Sequence, residues 1–482
     1  MRADPKRRRA RWWDPSWVAC LASTCLVLGC REPVPTPPVD SLLITGVSIV
    51  DPSAETASPA SDVLVAGGVI VEIAPAGSIS PERAARQIPA EGLYALPGLI
   101  DVHAHLGDGG IGRQTDEDRR GALRQFVDYG VTTIFVPGGG GGNDQKLGEW
   151  KRYCAEAASV CPNLFGSGAL ITAPGSHPIG TIWGMPDDTD PAVIYERGAV
   201  AVAEDAPVDS LIDTKVALGV DAVKIVIEDG LGPRTPMPRL SKRKIAELVD
   251  VSHRRGLRVF AHVSLPSHVA DGVDAGIDGV MHSSEEPLAD SLLATMAEEG
   301  VFYVATLALY QGFIDHAHQR WDFEPFAVQG VSPRALASLE DEGYRSRPVD
   351  TPEGAVAIEA ALQDNLRRAA ALGVPLALGT DVNNPRVFPG YSAHQELALM
   401  VAAGLTPARA LAAATEGGAA FLGQDETLGK LAPGYRANLL LLEGNPLADI
   451  LNTRSLRGVL VDGVVQKSDA TRTSRGRSSA EP

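Results

Sequence analysis

The chain has 482 residues, 44% of them apolar and 21% charged, the balance of a soluble globular protein, and its length allows two or three domains or one large barrel with additions. A formal charge of −17 argues against a nucleic-acid partner, which needs a basic stripe. The same charge does not point to a substrate, because a solvated acidic surface accounts for it.

In chain order, the first thirty residues differ from the rest. Arg2, Lys6, Arg7, Arg8, Arg9 and Arg11 outnumber Asp4 and Asp14, and an apolar run from Trp17 to Gly29 follows. A basic segment ahead of a short apolar one reads as a signal peptide over residues 1–30, and the run is too short to span a bilayer. It closes on Val27-Leu28-Gly29-Cys30, which resembles a bacterial lipobox. That resemblance implies a lipid on Cys30 and attachment to the cell envelope. Arg31, where an aspartate would favour the inner membrane, implies the outer membrane facing the periplasm in a cell that has one. A simple signal with an incidental cysteine is the alternative. Residues 31–40 (REPVPTPPVD) form a Pro-rich, extended tether.

Leu42–Val50 and Asp62–Ile73 are short β-branched runs between turn residues, and each predicts a strand. Matching runs stand at the far end: Ala437–Leu442, then Arg457–Val465 around the turn Asp462-Gly463. Segments 41–93 and 430–466 therefore predict a small β-sandwich built from both termini, and the Ser/Arg-rich tail 467–482 predicts disorder. Between them, 94–429 alternates apolar runs with amphipathic ones. The apolar runs are Tyr94–Ile100, Thr132–Val136, Asn163–Leu170, Ala222–Ile227, Arg258–Ala261, Gly279–Met281, Phe302–Thr306 and Pro375–Gly379. Helix patterns occur at Arg243–Arg255 and Gly354–Leu372, and Thr406-Pro407 supplies a cap and first-turn proline for another. This α/β alternation predicts a (β/α)8 TIM barrel with chemistry at the C-terminal ends of its strands. The glycine run Pro137–Asp144 follows the second strand without the Lys-Ser/Thr of a phosphate loop.

The strongest local signal is Leu96-Pro97-Gly98-Leu99-Ile100-Asp101-Val102-His103-Ala104-His105. Two histidines at i and i+2 at a strand end share a face, and imidazole is the commonest neutral ligand for zinc-type ions. Lys224, His262, His282 and Asp381 each close another apolar run. Singly, each has a bland reading as a solvated lysine, a satisfied histidine or a cap. Together they offer ligand-competent groups to one barrel mouth.

With these residues the chain resembles the amidohydrolase superfamily, in particular its imidazolonepropionase-like and prolidase-like dipeptidase group, over roughly Leu42 to Val465. The resemblance implies a metal-dependent hydrolase of carbon–nitrogen bonds with two divalent ions, typically zinc. His103 and His105 with Asp381 would hold the more buried ion and His262 with His282 the more exposed one. Lys224, carboxylated by CO2, would bridge them, an anionic oxygen donor being far more acceptable there than an ammonium. A bridging hydroxide would attack, and Asp381 would move its proton to the leaving amine. His177, in Ala173-Pro174-Gly175-Ser176-His177, resembles a substrate-facing loop histidine, and His394 is a weaker candidate for the site.

Met281-His282-Ser283-Ser284-Glu285 and Pro137-Gly138 depart from the family's patterns, which alters the pocket without removing a ligand. A mononuclear deaminase is one alternative, but Leu265 stands where its proton-shuttling glutamate would. A non-catalytic, lipid-anchored binding protein is the other, and it would require a lost ligand. The implied substrate is a small-molecule amide: a dipeptide, an N-acyl amino acid or a cyclic amide. Stretches 107–121, 138–150, 172–192 and 310–350 read as the loops that would decide among these. Assembly into a homo-oligomer is left open.

Cys20 and Cys25 leave with the signal, so Cys154 and Cys161 remain. They lack the further ligands a zinc cluster needs. In an unbroken helix their Cα atoms would stand about 10 Å apart, beyond bridging distance. Pro162 biases Cys161 toward an extended conformation, so the helix is expected to stop near Ala158 and the chain to fold back. An oxidising compartment then permits a Cys154–Cys161 disulfide.

Overall fold

The computed structural model describes residues 38–468 apart from 141, 157, 231–235 and 347–351. The expected signal peptide, Cys30, most of the tether and the tail beyond Ser468 lie outside the described residues. The fold is mixed α/β.

Strands from both ends of the chain join in one eight-stranded sheet. Leu42–Asp51, Thr56–Ala66, Val69–Pro75, Arg86–Pro89 and Tyr94–Pro97 come from one end, and Leu439–Leu442, Leu456–Val461 and Val464–Ser468 from the other. The run Asp62–Ile73, expected as one strand, is instead most of a hairpin. Gly67 and Gly68, at φ +58° and +79°, make the turn in a region that costs glycine little. Lys467 and Ser468, expected in the disordered tail, complete the last strand. The sheet wraps its own apolar cluster, which includes Ile44, Val63, Val65, Ile70, Leu439 and Leu441. Bonds from the Ile70 amide to the Tyr435 carbonyl (2.8 Å) and from the Gly434 amide to the Ile70 carbonyl (2.8 Å) draw its far edge back. Leu440 and Leu442 alternate to the other face and join the main core, which is why this strand reads as an unbroken leucine run.

Tyr94–Pro97 pairs with Leu439–Leu442, whereas Leu99–Asp101 pairs in parallel with Val131–Val136. The change of sheet thus falls at Gly98, not at residue 94 as the sequence suggests. A Cβ at Gly98 would lie 2.1 Å from the Thr132 hydroxyl oxygen, so only glycine lets the strands approach here.

The remaining strands are all parallel. Leu99–Asp101, Val131–Val136 and Asn163–Gly166 form one sheet. Ala199–Ala201, Leu170–Thr172, Ala222–Val226, Arg258–His262, Gly279–Met281 and Phe302–Val304 form the other. The two are linked at both ends. The Asp221 amide donates to the Gly166 carbonyl (2.9 Å), and Pro375–Thr380 lies between the first strand and the last. There the Tyr303 amide bonds to the Pro375 carbonyl at 2.9 Å and the Val102 amide to the Leu378 carbonyl at 2.8 Å. Pro375–Gly379, expected as a strand, makes an isolated bridge at Leu376 and scattered bonds rather than a ladder; Pro375 has no amide proton to give.

The expected helices are Lys242–Arg254, Pro352–Leu372 and Pro407–Ala412, the first and last capped by Ser241 and Thr406. Three stretches read as loops hold helices instead, 138–150 among them through Asp144–Cys154. Asp116–Asp128 starts in a capping box at Thr115, and Leu307–Ala317 runs into 310–350. The helix Asp144–Cys154 ends four residues before Ala158. Cys154 and Cys161 are bonded, with Cα atoms 5.4 Å apart. Among the described residues no helix is long and apolar enough to cross a membrane.

Candidate active site

His103 and His105 leave the strand Leu99–Asp101 on one face, and their Nε2 atoms lie 3.4 and 3.1 Å from Asp381 Oδ1. Two backbone features aim these side chains. Asp381 and His282 take φ of +61° and +78°, a region that non-glycine residues enter only when the surroundings hold them there. The Asp381 amide donates to the His103 carbonyl at 2.7 Å. Beneath both, fully buried Asp101 accepts from the Thr380 hydroxyl (2.6 Å), the Thr380 amide (3.1 Å) and the His103 amide (3.1 Å). Burial, opposed by those bonds, pushes its carboxyl up to about 7. Asp101 therefore fastens the histidine-bearing strand to the loop carrying Asp381. The signal for this role is present in the motif, as an acid in an otherwise apolar strand, but its partner lies far along the chain.

The other candidates close the ring. The His282 ring sits 4.5 Å from His103 and 4.6 Å from His262, and His177 stacks on His262 at 4.5 Å. His282 Nδ1 lies 3.0 Å from the Thr306 hydroxyl, and His177 Nδ1 lies 2.8 Å from that of Thr181. Lys224 is 3% exposed. Its Nζ meets the Met281 thioether at 2.8 Å, and burial, offset by Asp381, lowers it to about 7. His103, His105, His177, Lys224, His262, His282 and Asp381 all line one cavity of about 250 Å³.

His394 does not join them. It is buried elsewhere, with Nε2 2.8 Å from the Tyr129 carbonyl and Nδ1 2.9 Å from the Thr453 hydroxyl, and both ring nitrogens are spent on tying elements together.

The residues present fit a divalent cation. His103 Nδ1, His105 Nδ1, His262 Nε2 and Asp381 Oδ1 are buried without a hydrogen-bond partner, a costly state for polar atoms. Donor atoms of His103, His282 and Asp381 lie within 4.8 Å of one another. Burial holds His103, His177 and His282 well below the usual histidine range, so their rings are neutral and keep a lone pair for a metal.

Several residues of the site escape the sequence reading. Glu228, fully buried two residues past the strand Ala222–Val226, lies 3.6 Å from His262 Nε2 and accepts from the Ser264 hydroxyl and the Gly230 amide. Burial alone would raise its carboxyl, but His262 and Ser264 outweigh it and bring it down to about 2. Glu396 accepts from the amides of Leu307 (3.0 Å) and Ala308 (2.6 Å). It thereby fixes the start of the helix that presents Leu309, Tyr310 and Phe313 to the cavity.

The protein is similar to the ochratoxinase of Aspergillus niger, 25% identical over 388 residues that cover 74% of this chain and 71% of that one. It is also similar to the imidazolonepropionase of Salinispora tropica, 25% identical over 419 residues that cover 84% and 92%. Its fold matches the crystal structure of a Xaa-Pro dipeptidase with bound methionine, with a TM-score of 0.70, 22% identity and coverage of 88% of this chain and 99% of that one. The family model for the amidohydrolases matches residues 94–466, most of the sequence, and the chain belongs to the amidohydrolase family.

Proposed function

We propose that the protein is a binuclear metal-dependent hydrolase of a small-molecule amide, working at the C-terminal mouth of a (β/α)8 barrel with a β-sandwich beside it. The observation that carries this reading is the convergence of four histidines, a lysine and an aspartate from five separate segments of the chain on one cavity. The closed run of parallel neighbours supports the barrel. The names of the relatives, an ochratoxinase and an imidazolonepropionase, support hydrolysis. The dipeptidase neighbour supports the fold.

In this reading His103, His105 and Asp381 hold one ion, His262 and His282 the other, and Lys224 stands between them. Divalent ions, zinc by the character of the donors, would supply Lewis-acid polarisation of the scissile carbonyl and activation of water at neutral pH. Lys224 suits carboxylation, because burial favours its uncharged amine and the free amine is the form that adds CO2. Asp381 keeps an unpartnered oxygen facing the cavity. It can take a proton from the attacking water and return it to the leaving nitrogen. His177, at the wall beside His262, touches the substrate. The reading extends to a lipid on Cys30 and an outer-envelope location, supported by the sequence of residues 1–30 alone. Metabolic labelling with palmitate, lost in Cys30→Ala, is the expected outcome.

The test is a screen of zinc-loaded protein against dipeptides, N-acyl amino acids and cyclic amides, with Asp381→Asn alongside. Asparagine still ligates weakly but cannot carry the proton. The expected result is a kcat reduced by on the order of 10²-fold or more at unchanged metal content, within or beyond the usual range for general acid–base groups. Near-normal turnover would reject the assignment.

A further inference from the structure

We infer that Thr306 is a positioning residue for His282, and that Glu396 frees it for that task by capping Thr306's own helix in its place. This rests on the metal-dependent reading above and adds to it two residues outside the ligand set.

Strand register brings the two side chains together. Gly279–Met281 and Phe302–Val304 run in parallel with Met281 opposite Val304, so His282 and Thr306 emerge at neighbouring strand ends. Both take positive φ, +78° for His282 and +50° for Thr306, a conformation that non-glycine residues hold only where the surroundings impose it. The hydroxyl of Thr306, a fully buried residue, then lies 3.0 Å from His282 Nδ1. A hydroxyl accepts as well as donates, so Nδ1–H can donate to it while Nε2 keeps its lone pair for an ion. The ring is thereby aimed before an ion arrives.

What sets Thr306 apart is the work it does not do. A threonine or serine directly ahead of a helix ordinarily accepts from an amide of the first turn, and Thr115, Ser241, Ser332 and Thr406 all do so in this protein. Thr306 stands in the same place before Leu307–Ala317, yet its backbone is left-handed and its side chain makes no capping bond. The amides it leaves are satisfied from far along the chain. Glu396, buried on the helix Tyr391–Ala402, accepts from Leu307 at 3.0 Å and from Ala308 at 2.6 Å. Burying a carboxylate is costly, and a local hydroxyl could have capped this helix. The arrangement makes sense when that hydroxyl is committed to His282.

Chelator competition on the purified protein reads zinc affinity, with the thermal midpoint of the metal-free protein alongside. Thr306→Val, similar in shape but without the hydroxyl, should bind zinc about tenfold or more weakly at one site, the scale set by lost partners of ligating histidines. Thr306→Ser, which restores the hydroxyl, should recover most of that loss. Thr306→Ala, also without a hydroxyl, repeats the reading where valine does not fold. Glu396→Gln, which turns an NH2 toward one of the two amides, should weaken the same site. Combined with Thr306→Val it should cost less than the product of the two single losses, because both act through one contact. Wild-type zinc affinity in the variants lacking the hydroxyl, or a loss that Thr306→Ser shares in full, overturns the inference whatever the metal-free midpoint does. Losses that simply multiply in the double variant overturn the part given to Glu396. These failures leave the metal-dependent reading standing, whereas a wild-type protein that takes up no zinc refutes that reading and the inference with it.

Discussion

His394 is held neutral by its surroundings, and this sets a pH dependence remote from the candidate site. Burial lowers its pKa from 6.5 to about 4, even though its bond to the Tyr129 carbonyl favours the proton. The unfolded chain binds a proton near pH 6.5 while the folded chain does not, so stability rises with pH across this window and is lost as pH falls from 6.5 toward 4. The full shift corresponds to on the order of 3 kcal/mol. Thermal midpoints measured from pH 7 to pH 4 should fall more steeply for the wild type than for His394→Gln, whose neutral amide does not titrate. Parallel slopes would show that the imidazole is already charged in the native state.

His394 also marks the boundary of what single residues reveal. His103 and His105 are legible because a strand end converts i, i+2 spacing into a shared direction, and no distant partner is needed to see it. His394, Asp101 and Glu228 are ordinary polar letters until their neighbours are known. Those neighbours are Tyr129 and Thr453 for the first, Thr380 for the second and His262 for the third. The positive φ at His282 and Asp381 is invisible for the same reason: both residue types enter that region more readily than most, but only their surroundings decide where.

At the scale of elements, the runs that survive as strands are those whose apolar faces are buried, such as Ala222–Val226 and Arg258–His262. Misreadings occur where turn or pairing chemistry outranks hydrophobicity. Gly67-Gly68 folds one expected strand into a hairpin, and Pro375 leaves another without a ladder. The helix at Leu307 is hidden because its first amides are satisfied by Glu396, far along the chain, and not by a local cap. The Asp144–Cys154 helix carries the prediction at this scale. Its end and Cys161 are separated by 7 positions, and closing a loop that short removes about 2–3 kcal/mol of unfolded-chain entropy. Cys161→Ser should therefore lower the denaturation free energy by up to about that amount without altering metal content. Two freely alkylated thiols in unreduced native protein would refute the bridge.

For the whole molecule, the consequential feature is that the parallel strands bring together candidate ligands that are far apart in sequence, from His103 to Asp381. No local segment forms the site. Neutral histidines, a buried carboxylate and a buried lysine crowd together there at a cost that a cation removes. Under the proposed function the ions would bind the folded state and scarcely the unfolded one, so metal affinity would appear as stability, about 4 kcal/mol for a site at a free ion concentration 1,000 times its Kd. Elemental analysis of saturated wild-type protein should approach two zinc ions per chain, and a chelator should lower the thermal midpoint in two separable steps if the sites differ in affinity. Lys224→Ala should saturate below two ions and lose part of the chelator-sensitive stability, because a bridging anion serves both sites at once. A single ion at saturation in the wild type sinks the binuclear arrangement. Full occupancy of both sites in Lys224→Ala leaves the ions in place but removes the lysine from between them.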